Sequence, residues 1–205
     1  MTTSKPLISV IMPVYNGGST IRQAVESVFC QNIPLELLVI DDGSTDQTSE
    51  VLSVYQDRPD FHYLKNPHNI GAAASRNRGV QEAHGQYVAF LDADDWWENG
   101  KLLLQLDTLH ETGRVLCSTG RELMNYDGTP AGKYIPVKET VSYRDLLKHN
   151  SINCSSDVYK RQAKYHCSAK KCADNFFVHF VFLPWKYSFL FATAPLLQES
   201  SHLRY

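Results

Sequence analysis

An α/β architecture with a mostly parallel, doubly wound sheet is the expectation for residues 1–156. Two observations carry it. Near-continuous apolar runs alternate with stretches of helical period, which implies strands joined by right-handed crossover helices. The apolar runs also end abruptly in polar or acidic residues, where such a sheet collects its chemistry.

The elements follow in order. Residues 8–14 form an apolar run suited to a strand buried on both faces. Ser19 or Thr20 is placed to cap a helix in which Ile21, Ala24, Val25 and Val28 recur at helical spacing. Residues 35–40 are a second buried strand, and Asp46 begins a second helix carrying Val51, Leu52 and Tyr55. Residues 62–64 are a short third strand. Residues 72–83 read as a helix that Gly85 terminates, and residues 87–91 as a fourth strand. Leu102, Leu103, Leu106 and Leu109 mark a further helix, and residues 115–118 another strand. Asp127-Gly128 suits a turn between two short strands, and residues 143–149 a short helix.

The 205 residues suit one domain with a sizeable core. With 43% hydrophobic and 20% charged residues, the chain reads as soluble and globular. The net charge of −2 gives no reason to expect nucleic acid or an anionic membrane as partner. The short polar start is not a signal peptide. Five irregularly spaced cysteines argue against a disulfide framework and for a reducing cytoplasm. Cys167 and Cys172 flank no regular zinc spacing with His166, so unpaired thiols are expected there.

Four segments can carry chemistry. In Asp92-Ala93-Asp94-Asp95, carboxylates at a strand end can hold one hard cation whose other ligands are phosphate oxygens and water. Taken alone it reads as a solvated acidic turn; the cation reading rests on its setting, since an apolar strand ends there and Asp41 and Asp42 end another. In Asp41-Asp42-Gly43-Ser44-Thr45-Asp46, a carboxylate can accept hydrogen bonds from a base or ribose, while Ser44 or Asp46 caps the next helix. In residues 69–79, small residues let a helix N-terminus approach an anion and Arg76 can pair with a phosphate; the alternative is a tightly packed helix with surface arginines. In Pro13-Val14-Tyr15-Asn16, the tyrosine can stack on a nucleobase or simply line the rim. A dehydrogenase is excluded, because Asn16-Gly17-Gly18-Ser19-Thr20 lacks the glycine fingerprint. A nucleotidyltransferase is disfavoured, because no Lys or Arg follows Gly17-Gly18 before Arg22.

Taken together, residues 8–16, residues 39–46, Asn69-Ile70-Gly71 with Arg76-Asn77 and Gly79, and Phe90-Leu91-Asp92-Ala93-Asp94-Asp95 resemble the family 2 inverting glycosyltransferases of GT-A fold. The resemblance spans roughly residues 7–155 and implies a Rossmann-like sheet, incomplete at its C-terminus. It implies that Pro13, Tyr15, Asp41 or Asp42, Arg76 and Asp92 bind the nucleotide-sugar donor, a UDP-sugar. It implies that Asp92 and Asp94 form the metal-binding Asp-X-Asp pair, with Asp94 the direct ligand of Mg²⁺ or Mn²⁺. The implied reaction is displacement at the anomeric carbon with inversion. The implied acceptor is a glycan or a lipid-linked sugar of a cell-surface polysaccharide. The implied location is the cytoplasm, including peripheral association with the inner face of the membrane.

Inversion requires a general base. The family's acidic-aromatic motif does not follow residue 156, where the only acidic residues beyond Asp157 are Asp174 and Glu199. The alternative function is therefore a nucleotide-sugar-binding fragment without transfer activity. Residues 157–205, with basic residues crowding 160–171 and aromatics crowding 176–191, are expected to be a tail foreign to the domain, from a chain truncated or frameshifted near residue 156.

Overall fold

The computed structural model describes residues 6–125, 129–137, 154–161 and 189–192. Seven strands form one sheet: β1 (Ile8–Val14), β2 (Leu35–Asp41), β3 (Phe61–Lys65), β4 (Tyr87–Phe90), β5 (Leu116–Thr119), β8 (Asp157–Lys160) and β9 (Phe189–Ala192). Strands β6 (Arg121–Met124) and β7 (Pro130–Ile135) form a separate antiparallel ribbon. The four described α-helices are α1 (Ile21–Phe29), α2 (Thr48–Leu52), α3 (Ala72–Glu82) and α4 (Lys101–Thr112).

The sheet order is β3-β2-β1-β4-β8-β5-β9. Strands β1 to β4 are mutually parallel, while β8 runs antiparallel between β4 and β5. The chain winds from β1 outward through β2 to β3, then returns to β1's other side with β4. The order thus reverses at β1, and the carboxyl ends of β1 and β4 flank the crevice where open α/β sheets bind ligands.

Both faces of β1 are buried, which explains its unbroken apolar run. Ile8, Val10, Met12 and Val14 pack in the larger core with Ile21, Val25, Leu102 and Leu106. Ile11 faces the other way, with Leu38, Ile40, Ala83 and Val88. Each fully buried aliphatic side chain of this kind contributes about 1.5–3 kcal/mol.

Several local expectations are corrected. Thr20 stands at the N-cap of α1 but makes no side-chain cap; its hydroxyl bonds the Gly17 carbonyl at 3.4 Å. Helix α2 begins at Thr48 rather than Asp46 and continues as a 3-10 turn over Ser53–Tyr55. Helix α3 ends at Glu82, with Ala83 already extended, so Gly85 is not its terminator. Gly85 is small for another reason: a Cβ there would lie 2.5 Å from the Ser9 amide nitrogen. The buried Glu36 carboxylate holds this bend. It accepts from the His84 amide at 2.6 Å and the Ser9 hydroxyl at 2.5 Å.

Strand β8 extends the sheet four residues past position 156, where the domain was expected to end. Strand β9 falls within the aromatic-rich stretch, for which no period was foreseen. The expected turn at 127–128, the helix at 143–149, and His166, Cys167 and Cys172 lie outside the described residues. Cys30, Cys117 and Cys154 are free thiols. Among the described residues, no helix is long and apolar enough to cross a membrane.

Candidate functional site

A pocket of about 370 Å³ opens at the reversal point of the sheet, within the range of small-ligand sites. Pro13 and Tyr15 line it from the end of β1, Asp42 from the end of β2, Gly71 from the N-cap of α3 and Arg76 from α3 itself, and Asp92 and Asp94 from the turn after β4. These segments are distant in the chain. Parallel pairing of β2, β1 and β4 brings their carboxyl ends to one edge.

Tyr15 is exposed over 52% of its surface, a ring free to meet a ligand. The loop behind it is fastened to the segment after β2. The Asn16 amide donates to the Ser44 hydroxyl at 2.9 Å, and the Thr45 amide to the Asn16 side-chain oxygen at 2.9 Å. The Gly17 amide donates to the Thr48 hydroxyl at 3.0 Å, and the Gly18 amide to Asp46 Oδ2 at 2.9 Å.

The adjacent carboxylates Asp41 and Asp42 face different surroundings. Asp41 is wholly buried and outside the pocket lining. It accepts from the Ser44 amide at 2.7 Å and from the Tyr63 hydroxyl, with Lys65 Nζ at 3.6 Å. Burial works to raise its pKa, but Ser44, Tyr63 and Lys65 together hold it below the ordinary value. Asp42 lines the pocket. Its Oδ1 accepts from Asn66 Nδ2 at 2.8 Å and the Ile70 amide at 2.9 Å, and its Oδ2 from the Gly71 amide at 2.8 Å. Burial again opposes ionisation, and these donors outweigh it, so Asp42 is also held below the ordinary range. Gly71 presents its amide with φ of +90°, a backbone that other residues resist.

Arg76 Nη2 lies 2.5 Å from Asp92 Oδ1, a partly buried ion pair on the pocket wall, while Arg76 Nε is buried without a partner. The sequence allows Arg76 a phosphate partner; in the structure the guanidinium rests on the Asp92 carboxylate. Asp94 is exposed in the pocket and makes no hydrogen bond or ion pair among the described residues. Asp95 sits behind it, its carboxyl raised by burial and by the neighbouring charges of Asp94 and Asp92. Among the described residues, no group of three His, Cys, Asp or Glu side chains is arranged to hold a metal alone.

The turn's support was not legible in the sequence. The Trp97 amide bonds the Ser27 hydroxyl at 3.1 Å, and Gln31 bridges the Glu98 carbonyl and the Leu102 amide at 3.0 and 3.1 Å. Only an apolar face that places Ser27 and Gln31 on the side of α1 toward α4 hinted at this.

The family profile described as Glycosyl transferase family 2 matches residues 9–167. The chain belongs to this family. Among its relatives, the Putative teichuronic acid biosynthesis glycosyltransferase TuaG of Bacillus subtilis (strain 168) is 41% identical over 164 residues, covering 79% of this chain and 65% of that protein. The Escherichia coli UDP-Glc:alpha-D-GlcNAc-diphosphoundecaprenol beta-1,3-glucosyltransferase WfaP is 33% identical over 156 residues, covering 76% of this chain and 61% of that one. The crystal structure of S. aureus TarS 1-349 in complex with UDP superposes with a TM-score of 0.61 at 25% identity, covering 75% of this chain and 46% of that one. The family 2 chain therefore has the GT-A fold and spans under two thirds of the length of these proteins.

Proposed function

We propose that the protein to which this chain belongs transfers a sugar from a UDP-sugar to a glycan or lipid-linked acceptor, with inversion at the anomeric carbon and with help from a divalent metal. The observation that carries this reading is the convergence of Tyr15, Asp42, Arg76, Asp92 and Asp94 on one pocket at the sheet's reversal point. The UDP bound by TarS and the UDP-Glc and diphosphoundecaprenol in the name of WfaP support the donor and acceptor classes. The teichuronic acid in the name of TuaG supports a cell-surface polysaccharide as product, and with it a protein working at the inner face of the membrane.

The roles divide by chemistry. Tyr15 stacks on the nucleobase. Asp42 accepts a hydrogen bond from the base or ribose. Arg76 faces the diphosphate and can exchange Asp92 for a phosphate oxygen. Asp94 would hold Mg²⁺ or Mn²⁺, with Asp92 beside it; its exposed carboxylate with no protein partner fits an ion that takes its remaining ligands from phosphate and water. Such an ion, when bound, neutralises charge on the diphosphate leaving group.

A second reading, donor binding without transfer, is favoured by the missing acidic-aromatic motif after residue 156. Calorimetric titration of UDP into the full chain, with and without Mn²⁺, tests the donor site. Binding should strengthen with Mn²⁺, and Asp94→Ala should abolish that metal-dependent gain. Absence of UDP binding by a folded chain would overturn the donor assignment. Release of free sugar from a UDP-sugar separates the two readings, since only a transfer-competent chain should turn it over.

A further inference from the structure

Asp94 makes no hydrogen bond or ion pair among the described residues, so its direction is set by the turn that carries it. That turn is closed by the Asp95 amide, which donates to the Asp92 carbonyl at 3.1 Å. Both of its ends are held by Ser155, 63 residues beyond Asp92. The Asp92 amide donates to the Ser155 hydroxyl at 3.1 Å, and the same hydroxyl hydrogen-bonds the Asp95 carboxylate. A serine hydroxyl has one proton and two lone pairs. The proton serves the carboxylate and a lone pair receives the amide, so both bonds form at once.

Ser155 is itself gripped. It is 7% exposed, on the 3-10 turn Cys154–Ser156. The Trp97 indole N–H donates to its carbonyl at 2.6 Å, and Gln105 Nε2 on α4 donates to the Ser156 carbonyl at 2.9 Å. We infer that Ser155 is a positioning residue for metal-assisted donor binding: its hydroxyl pins the turn at Asp92 and Asp95 and so presents Asp92 and Asp94 to a divalent cation on the donor diphosphate. This deepens the donor reading above and rests on it. Ser155 does not line the pocket and acts only through the turn. The demand is physical, since a small divalent cation tolerates little displacement of its few protein carboxylates.

The test is calorimetric titration of UDP into the full chain, with and without Mn²⁺, with thermal unfolding to check that each variant is folded. The wild type should bind UDP more tightly with Mn²⁺. Ser155→Ala should cut that gain about tenfold, the range for a hydrogen bond to a charged group, and shift the metal-free affinity by less than about twofold. Ser155→Thr keeps the hydroxyl and should retain most of the gain. Ser155→Cys replaces the hydroxyl with a thiol, a weak donor and weak acceptor. It should lose most of the gain, and it keeps the test decisive if Ser155→Ala does not fold. An unchanged gain in the folded variants, or equal weakening of UDP with and without Mn²⁺, would overturn the positioning role while leaving the donor site intact. A wild-type chain that binds UDP but gains nothing from Mn²⁺ would overturn the metal assignment and this inference with it. One that binds no UDP would overturn the donor reading as a whole.

Discussion

Asp41 and Asp42 are neighbours in sequence and similar in charge, yet they do different work. Successive side chains at a strand end point to opposite sides. Asp41 turns toward Tyr63 and Lys65 on β3, and Asp42 toward the pocket. Asp41→Asn should therefore cost about 1.5–3 kcal/mol of stability through its charged hydrogen bonds while leaving UDP affinity unchanged. Asp42→Asn should weaken UDP binding about tenfold or more. Urea unfolding and calorimetry on the two variants check this, and a large loss of UDP affinity in Asp41→Asn would contradict the division. The sequence allowed either aspartate as the donor contact, since nothing local says which way the last strand residue turns.

The loop after β1, which lines the pocket at Asn16 and Gly17, is fastened from behind by a second loop distant in sequence. Residues 16–18 and 44–48 share four hydrogen bonds from backbone amides to side-chain oxygens. Thr48 is central: its hydroxyl accepts from the Gly17 amide and donates to Asp46 Oδ1. Thr48→Val keeps the shape and loses both bonds, leaving a partly buried amide and carboxylate underused. It should cost about 1–3 kcal/mol and weaken UDP binding, whereas Thr48→Ser should stay close to wild type in both. Thermal unfolding with and without UDP measures the pair. Read along the chain, Ser44 and Asp46 looked like helix caps. Asp46 does bond the first amide of α2, at 3.0 Å from Thr48. Its second oxygen, on the Gly18 amide, is a long-range contact that no local pattern encodes.

Across the molecule, hydrogen-bonded carboxylates make strong acid, below about pH 4, the direction of weakness. Glu36, Asp41, Asp42 and Asp46 are all held below their ordinary pKa values. In Glu36, Asp41 and Asp42, hydrogen bonds overcome opposing burial; in Asp46 the Thr48 hydroxyl is the largest cause. A group whose folded pKa is depressed stabilises fully above its unfolded value, near about 4 for carboxylates, and loses that contribution as pH falls toward the folded value. Asp95 and Asp157 are raised by burial, Asp157 to about 7, and work in the opposite sense: they add stability as pH falls from about 7 to about 4. The urea midpoint should fall steeply below about pH 4, where the four depressed carboxylates lose their contribution and the two raised ones have no more to add. A midpoint that rises as pH falls below about 4 would refute this account.

The apolar runs, their polar ends and the four ordered motifs were legible without coordinates. Parallel strands buried on both faces must be apolar throughout, and their ends are where ligand chemistry can reach solvent. Family membership followed from that order. The sequence could not show that β8 enters antiparallel between β4 and β5, because strand pairing depends on partners tens of residues away. Nor could it show that Asn66 holds Asp42, that Arg76 rests on Asp92, or that Asp41 turns away from the pocket. Those arrangements depend on side-chain direction at strand ends and on hydrogen bonds between distant loops, and both exist only once the sheet has closed.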